Sequence, residues 1–534
     1  MIGRTNSSGV MPQGTITITT NGSHDVASYS EAIVSVSGIT PTGTLQISSN
    51  GVYDVASYAS AEVNVTTPTT EPTVIDMLCK SVAYVNDPSG ILSGNITIAN
   101  FSGNPISYFS TTGTGSFYIS SYAFASTPNL SLIDLTNASN IYVGAMAFWQ
   151  RNFASYSYLT FKGVVRSAAY AAFMGAHLSG TLYISWNQAT IQTSCFSNNN
   201  LTSIDWTITS KASYVNLTGF AGNYNLQSIY THPTSFSSCY LQGAVFMDCG
   251  SSPVPAYWLS RIISTNTLID QYAFRNCTAI DKLETSIVNT ISTYAFTGCT
   301  GISLISLTTS STINFGSTAF DGCTSLTKVY TPNASTVNYY YSCFGSCESL
   351  SEITWANTMF FSALCFINTG FVSFCPPSNI AITGHASYTF TFGSNIRYVS
   401  IMQLSGILAA SAFAACKASF INVKNVRTLS SSCFQSCSNV TKLLFCPSSM
   451  SSLYDRCFQG CTSLSQIYFL CDNVPQARTT NLGWPTGVSI YVKESLVTSF
   501  QTATNWGGVS SQIVGLTDAE VAQAIDDYDN TPFV

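Results

Sequence analysis

A phenylalanine returns about every 24 residues over most of this chain, and that spacing limits the fold more than any other feature. It stands at positions 124, 148, 173, 196, 220, 246, 274, 296, 320, 344, 366, 390, 413, 434 and 458, usually behind Ala or Cys, so that fourteen steps cover 334 residues. In the best-kept units the pattern is A/C-F-x-x-C-x-x-L-x-x-I, as in AFTGCTGISLISL (Ala295 to Leu307), AFDGCTSLTKVYT (Ala319 to Thr331) and CFQGCTSLSQIYF (Cys457 to Phe469). A fixed period of this length with a short strand per unit indicates a solenoid, because no single coil can bury its apolar side without a neighbour. Counted from the Phe, positions +6 and +9 hold the apolar pair (Leu226/Ile229, Leu326/Val329, Leu350/Ile353, Leu464/Ile467) and are expected to face the core. Coils at the ~4.7 to 4.9 Å spacing of adjacent strands would pile into a stack of roughly 70 Å, which offers an extended face rather than a pocket. The expected fold is mainly β: a solenoid of about 15 coils of about 24 residues, preceded by small N-terminal β modules.

Those modules come from a second, shorter repeat. GTITITTNGSHDVASYSEAIVSV (Gly14 to Val36) aligns with GTLQISSNGVYDVASYASAEVNV (Gly43 to Val65) at an offset of 29 residues. Ile16, Ile18, Val34 and Val36, with Leu45, Ile47, Val63 and Val65, alternate with polar residues, which is the period of a half-buried strand. Asn21-Gly22 and Asn50-Gly51 supply the positive-φ residues of a tight hairpin turn, so residues 1–70 are expected to form two tandem β-hairpin modules that serve attachment. Residues 71–119 are expected as a linker and N-terminal cap, 120–470 as the solenoid, 471–516 as a C-terminal cap and 517–534 as an acidic segment. In that segment, TDAEVAQAIDDY places Thr517 three residues before Glu520, the spacing of a capping box at the start of a short helix.

The A-F-x-G-C-x-x-L-x-x-I units resemble the BspA-like leucine-rich repeats, over about Ser120 to Leu470 and most clearly between Tyr272 and Tyr468. The likeness weakens between Ala147 and Leu182 and between Phe366 and Met402, where Cys at +3 is lost. It implies a leucine-rich-repeat solenoid, and IYVKESLVTSFQTATNW (Ile490 to Trp506) looks like the terminal segment that closes such arrays. The N-terminal NGVYDVASYASAEVNV (Asn50 to Val65) is similar to short modules of bacteriophage and prophage tail proteins, which implies a virion protein.

Composition removes several function classes. Charged residues make up 8% of the chain, against roughly 25% in an ordinary soluble domain. Aromatics, at 13%, are too many for a disordered chain, and no apolar run approaches the ~20 residues of a membrane-spanning helix. The net charge of −6 is mostly the tail's: without Asp518, Glu520, Asp526, Asp527 and Asp529 the rest carries −1. A nearly neutral body lacks the electrostatic footprint for nucleic acid, and nothing resembles a basic amphipathic membrane anchor. The opening MIGRTNSSGVMPQGTITITT has no apolar signal region, so the protein is expected to be made in a host cytoplasm and to keep its thiols reduced.

Of the 18 cysteines, eight stand at Phe+3 and five directly before the Phe, a regularity that marks a coil position rather than a reactive site. Buried free thiols are expected; the C-x₃-C pairs 343/347, 433/437 and 457/461 have no neighbouring histidine, and no metal or cofactor is expected. His24, His177, His232 and His385 fall in separate modules or coils and read as surface or turn residues. Glu348 with Glu352, and Asp281 with Glu284, are the carboxylate pairs to weigh for glycoside hydrolysis, and they also suit solvated edges.

A binding role has firmer support. Position +10 follows an inward residue and should point outward; in register it reads Tyr230, Glu284, Ser306, Tyr330, Thr354, Leu444 and Tyr468. Tyr230, Ser306, Tyr330, Thr354 and Tyr468 are the candidate ligand-binding residues, since tyrosine offers a rigid apolar plate with a polar tip suited to sugars or protein epitopes. The expected function is a non-enzymatic phage tail-associated adhesion or receptor-binding protein. It would join other tail or baseplate proteins through its N-terminal modules and present the solenoid to a host surface glycan or protein. It is expected to form a homo-oligomer, a trimer being one arrangement open to a tail fibre. The alternatives are a bacterial cell-surface adhesin, a tail polysaccharide depolymerase and a structural fibre or decoration subunit.

Overall fold

The computed structural model describes residues 105–531 except 151–157, 184–189, 207–213, 216–218, 227, 232–239, 242, 251–267 and 310, and before residue 105 the strands with a few residues beside them. The fold is mainly β, a parallel-strand solenoid of about 15 turns, and it divides into two compact units, residues 1–266 with 273–279 and residues 267–272 with 280–534.

In the first unit one parallel ladder joins Thr73–Asp76, Gly94–Ala99, Gly115–Ile119, Asn140–Val143 and Val165–Ala168. A second joins His24–Asp25, Thr42–Ile47, Ser60–Val65, Val82–Asp87, Tyr108–Thr111, Leu132–Asp134 and Thr160–Lys162. Residues 71–119, expected as a linker and cap, thus contribute strands to both ladders. The expected hairpins are also replaced. Gln13–Ile18 pairs in parallel with Glu31–Val36, and Thr42–Ile47 with Ser60–Val65, with Ile16 in register with Val34 and Leu45 with Val63. A two-residue turn can only reverse the chain, whereas parallel neighbours need a crossover of roughly a dozen residues. Twelve residues separate the strands in each pair. Asn21-Gly22 and Asn50-Gly51 lie outside the described residues.

The second unit repeats the plan. Thr290–Ile291, Thr312–Phe315, Thr336–Tyr339 and Thr358–Phe361 lie in one ladder, Lys282–Thr285, Leu304–Leu307, Lys328–Tyr330 and Glu352–Ile353 in another. Alternate residues of these strands point inward, and the +6 and +9 side chains Leu326, Val329, Leu350, Ile353, Leu464 and Ile467 are buried as their spacing predicts.

Between the two strands of a coil, the chain turns around its phenylalanine. The residues two before and two after the ring hold left-handed backbone, as in Tyr294 (φ 59°) and Gly298 (φ 73°) around Phe296, or Thr318 (φ 52°) and Gly322 (φ 75°) around Phe320. This accounts for the glycine of F-x-G, since a β-carbon makes that conformation unfavourable by roughly 1–2 kcal/mol. The non-glycine cases are held by hydrogen bonds from coil to coil: Phe296 N–H donates to Ala319 O (2.7 Å), Phe320 N–H to Cys343 O (2.8 Å) and Phe344 N–H to Cys365 O (3.0 Å). A small residue before the Phe lets successive turns come this close. The rings then stack: Phe124, Phe148, Phe173, Phe196 and Phe220 follow one another at centroid distances of 5.1, 4.8, 5.3 and 5.3 Å, and Phe296, Phe320 and Phe344 at 5.0 and 5.3 Å. Phe101 precedes Phe124 in this stack at 4.9 Å and Trp484 follows Phe458 at 5.1 Å, both outside the sequence pattern.

The +3 thiol closes the unit of construction. Cys323 Sγ donates to Phe296 O (3.3 Å), Cys347 to Phe320 O (3.1 Å), Cys437 to Phe413 O (3.0 Å) and Cys461 to Phe434 O (2.9 Å), each one coil back. Where Cys is missing, another donor serves. Asn199 Nδ2 donates to Phe173 O (2.8 Å) and Phe196 O (3.0 Å), and Asn223 Nδ2 to Phe196 O (3.0 Å) and Phe220 O (2.6 Å). Thr127 and Thr369 bond the carbonyls of Phe124 and Phe366 in their own coils. Around Phe366, where the repeat weakens, Phe371, Phe374 and Phe392 fill the core instead.

All cysteines among the described residues are free. Burial pushes the Cys249 and Cys416 thiols up to about 12, and the less enclosed Cys375 to about 11. Reaction needs the thiolate. Iodoacetamide at neutral pH should therefore leave Cys249 and Cys416 intact in native protein and modify them only as denaturant unfolds it, with Cys375 reacting first. Rapid native labelling of Cys249 or Cys416, followed by peptide mass mapping, would contradict this placement.

Candidate functional site

The expected outward row is present in part. Glu284, Ser306 and Tyr330 are paired across successive strands of the second unit, and Thr354 Oγ1 accepts the Thr331 N–H at 3.2 Å on the next rung. Tyr330 is 39% exposed, with Lys328 Nζ 5.4 Å from its ring centroid; Ser306 and Thr354 are half-buried. The row therefore presents one aromatic plate between two hydroxyl side chains, not a tyrosine ladder. Tyr230 lies on Ser228–Thr231 of the first unit, paired with Asp205, and its side chain lies outside the described residues.

Tyr468 is not available to a ligand. It is 8% exposed and packs with Leu444, Leu470 and Tyr528. The cover is the acidic segment itself, a helix over Asp518–Asp529 whose start carries the Thr517/Glu520 capping box expected from their spacing. Its apolar stripe, Val521, Ala524, Ile525 and Tyr528, recurs at helical intervals and lies on the outward row of the last coils. Tyr528 donates its hydroxyl to Ile421 O, Lys442 Nζ lies 4.6 Å from the Tyr468 ring centroid, and Lys424 pairs with Asp529. On the inner side, Trp506 packs edge-on against Phe469 (5.5 Å) and Phe500 (4.9 Å) beyond the last repeated ring.

Stacked tyrosine pairs that are exposed or half-buried do exist, at positions the +10 count misses. Tyr118 and Tyr142, each six residues before a repeated Phe, stack at 4.9 Å with planes 9° apart. Tyr272 and Tyr294, each two before a Phe, stack at 5.0 Å and 3°. In the first unit Tyr118, Tyr142 and Tyr170 border a shallow cleft of about 490 Å³ floored by Gly144, Ala168 and Ala169. Another cleft, of about 560 Å³, lies beside Thr160, Thr181 and Tyr183, and its basic side chain, Lys162, is paired with Asp134 at 3.1 Å. The repeated Y-A-F at 122–124, 272–274 and 294–296 was the available signal for the second row.

The sequence matches the BspA type leucine rich repeat region, in six copies, over residues 96–251, 267–389 and 383–477. The chain belongs to the BspA-type leucine-rich repeat family. Its fold is similar to that of a leucine-rich repeat protein from Bacteroides ovatus, at 18% identity and a TM-score of 0.45, covering 66% of this chain and 88% of that one. A leucine-rich repeat protein from Eubacterium ventriosum is similar at 14% identity and a TM-score of 0.29, covering 67% and 90%. No curated protein matches.

Within the BspA-type repeats, the carboxylates weighed for hydrolysis sit on open edges. Glu348, Glu352, Asp281 and Glu284 are all exposed, and Glu352 is bonded to Lys328 at 2.6 Å across the ladder. His177 occupies a left-handed turn (φ 57°), as expected of a turn residue. His385 is instead half-buried, and desolvation lowers its pKa; its Nε2 accepts the Ala409 N–H at 3.0 Å. His24 falls on a strand whose side chains are outside the described residues, as is His232. Among the described residues no cluster of three His, Cys, Asp or Glu could hold a metal, and no helix is long and apolar enough to cross a membrane.

The helix that covers Tyr468 makes a specific forecast. Tyr528→Ala removes a fully buried ring and its hydroxyl bond, a change worth about 3–5 kcal/mol where a large aromatic is lost. Amide hydrogen exchange over Asp518–Asp529 should accelerate to that of a frayed terminus while the Phe320 coil keeps its protection. Unchanged exchange in the helix would contradict the docking.

Proposed function

We propose that this protein is a non-enzymatic adhesin whose solenoid faces bind a polymer or protein on a bacterial surface, and that it is carried on a phage tail through its N-terminal repeats. The observation that supports adhesion is the set of stacked, exposed or half-buried tyrosines on parallel ladders, exemplified by Tyr118 over Tyr142. Rigid plates on a rigid backbone lose little conformational entropy on binding. The open placement of Glu348, Glu352, Asp281 and Glu284 fits a solvated surface better than an acid–base pair. Tail attachment is supported by the likeness of Asn50 to Val65 to phage tail modules. Family membership also favours a second reading, in which the same faces serve an adhesin of the bacterial cell surface.

The test uses purified full-length chain on host cells challenged with phage. Saturating protein should bind the cells and block adsorption, and host capsule or wall glycan incubated with it should yield no new reducing ends. Released oligosaccharide would make it a depolymerase; absence of cell binding and of competition would make it a structural subunit. Cell binding that leaves phage adsorption untouched would favour the cell-surface reading.

A further inference from the structure

The tyrosine row of the first unit stops one rung early. Tyr118 is in register with Tyr142, and Tyr142 with Ser167. The two rings lie flat against each other, 4.9 Å apart and 9° from parallel, and the third rung carries only a hydroxymethyl group. The outer face of the Tyr142 ring therefore borders the space a third ring would take. Tyr170, 48% exposed, and Gln192 also line this shallow cleft of about 490 Å³. That size falls in the ~300–1,000 Å³ range of small-molecule sites.

We propose that this recess is a subsite for one neutral sugar ring, which takes the place of the missing plate on Tyr142. The inference rests on the adhesive reading above and names the ligand class of one of its faces. A ring's π face carries negative charge and its edge positive, so the weakly positive C–H face of a pyranose packs on it as another plate would. The Tyr170 hydroxyl and the Gln192 amide offer both donors and acceptors at the rim, matching a ring of hydroxyls, and the buried Ser167 lies among the lining residues. No acidic or basic side chain lines the recess, so an ionic sugar would lose hydration without compensation, and the ligand is neutral. The small floor residues Ala168 and Ala169 leave room for the ring, and Gly144 N–H is already bonded to Ile119 O at 2.7 Å, which fixes the floor before a ligand arrives.

Calorimetric titration of the full chain with maltotetraose, xylotetraose and chitotetraose, and with oligogalacturonate as the anionic counterpart, tests this. At least one neutral probe should bind, and oligogalacturonate should not. Tyr142→Ala, the loss of the stacking partner, and Tyr170→Ala, the loss of a rim contact, should each raise Kd about 3- to 10-fold. Ser167→Tyr, which completes the row, should abolish binding. Tyr170 is exposed, so its variant reports on the site even if Ser167→Tyr fails to fold. Failure of all three neutral probes to bind, equal binding of oligogalacturonate, or unchanged affinity in Tyr170→Ala would overturn the proposal. Failure here is separable from failure of adhesion: protein that saturates host cells but takes none of the sugars loses the subsite alone, and protein that never binds cells loses the adhesive reading whatever the titrations give.

Discussion

Everything in this protein depends on a coil's inability to satisfy its own turn. A phenylalanine turn held open by two left-handed residues leaves its Phe N–H without a partner inside the coil, while its carbonyl takes the +3 N–H of the same coil, as Phe320 O does from Cys323 at 3.1 Å. The next coil meets that N–H and adds a second bond to the carbonyl, as when Phe320 donates to Cys343 O and receives the Cys347 thiol. An unpaired buried backbone group costs roughly 1–3 kcal/mol, so an isolated coil would be destabilised at that N–H before its exposed ring is counted. Stacked rings then add about 0.5–1.5 kcal/mol per pair beyond burial. The same groups that make one coil untenable make a run of coils cooperative, and neither disulfides nor metals are needed to explain the cohesion of each unit.

This division of labour leaves the outer sheet faces with little structural duty. Their backbone is paired by the ladders and their inner side chains hold the core, so outward positions vary freely: Glu284, Ser306, Tyr330 and Thr354 share one row, Tyr118, Tyr142 and Ser167 another. Such positions are where recognition evolves most cheaply. The last coils show what the outward row does when apolar, since Leu444 and Tyr468 are covered by the chain's own helix through Tyr528. That helix presents its carboxylates to solvent and its one apolar stripe to the sheet.

The core was legible because it is periodic. The +6 and +9 pairs, the repeated Phe and the +3 thiols could be placed by counting, and the Thr517/Glu520 cap is a local rule. What escaped was either chemically disguised or distant in sequence. Asn199, Asn223 and Thr369 do the work of Cys at +3 with different side chains, and Phe101 and Trp484 extend the ring stack without the Ala or Cys that marks the motif. Parallel and antiparallel strands share one alternation, so Ile16 and Val34 could not reveal that their strands run the same way. Tyr468 read as exposed because the residue that buries it lies 60 positions on, in a segment whose composition spoke only of solvent. The tyrosine rows at six and two residues before the Phe were missed by following a single outward position.

The account is tested most directly by removing one coil in phase. Deleting residues 319–342, one full period, joins Thr318 to Cys343 and brings Phe344 to the place of Phe320 above Phe296. The shortened chain should keep a single cooperative melt and native circular dichroism, while deletion of residues 319–330, half a period, should abolish the fold of that unit. An in-phase deletion that unfolds as completely as the half-period one would contradict the claim that equivalent coils hold one another in place.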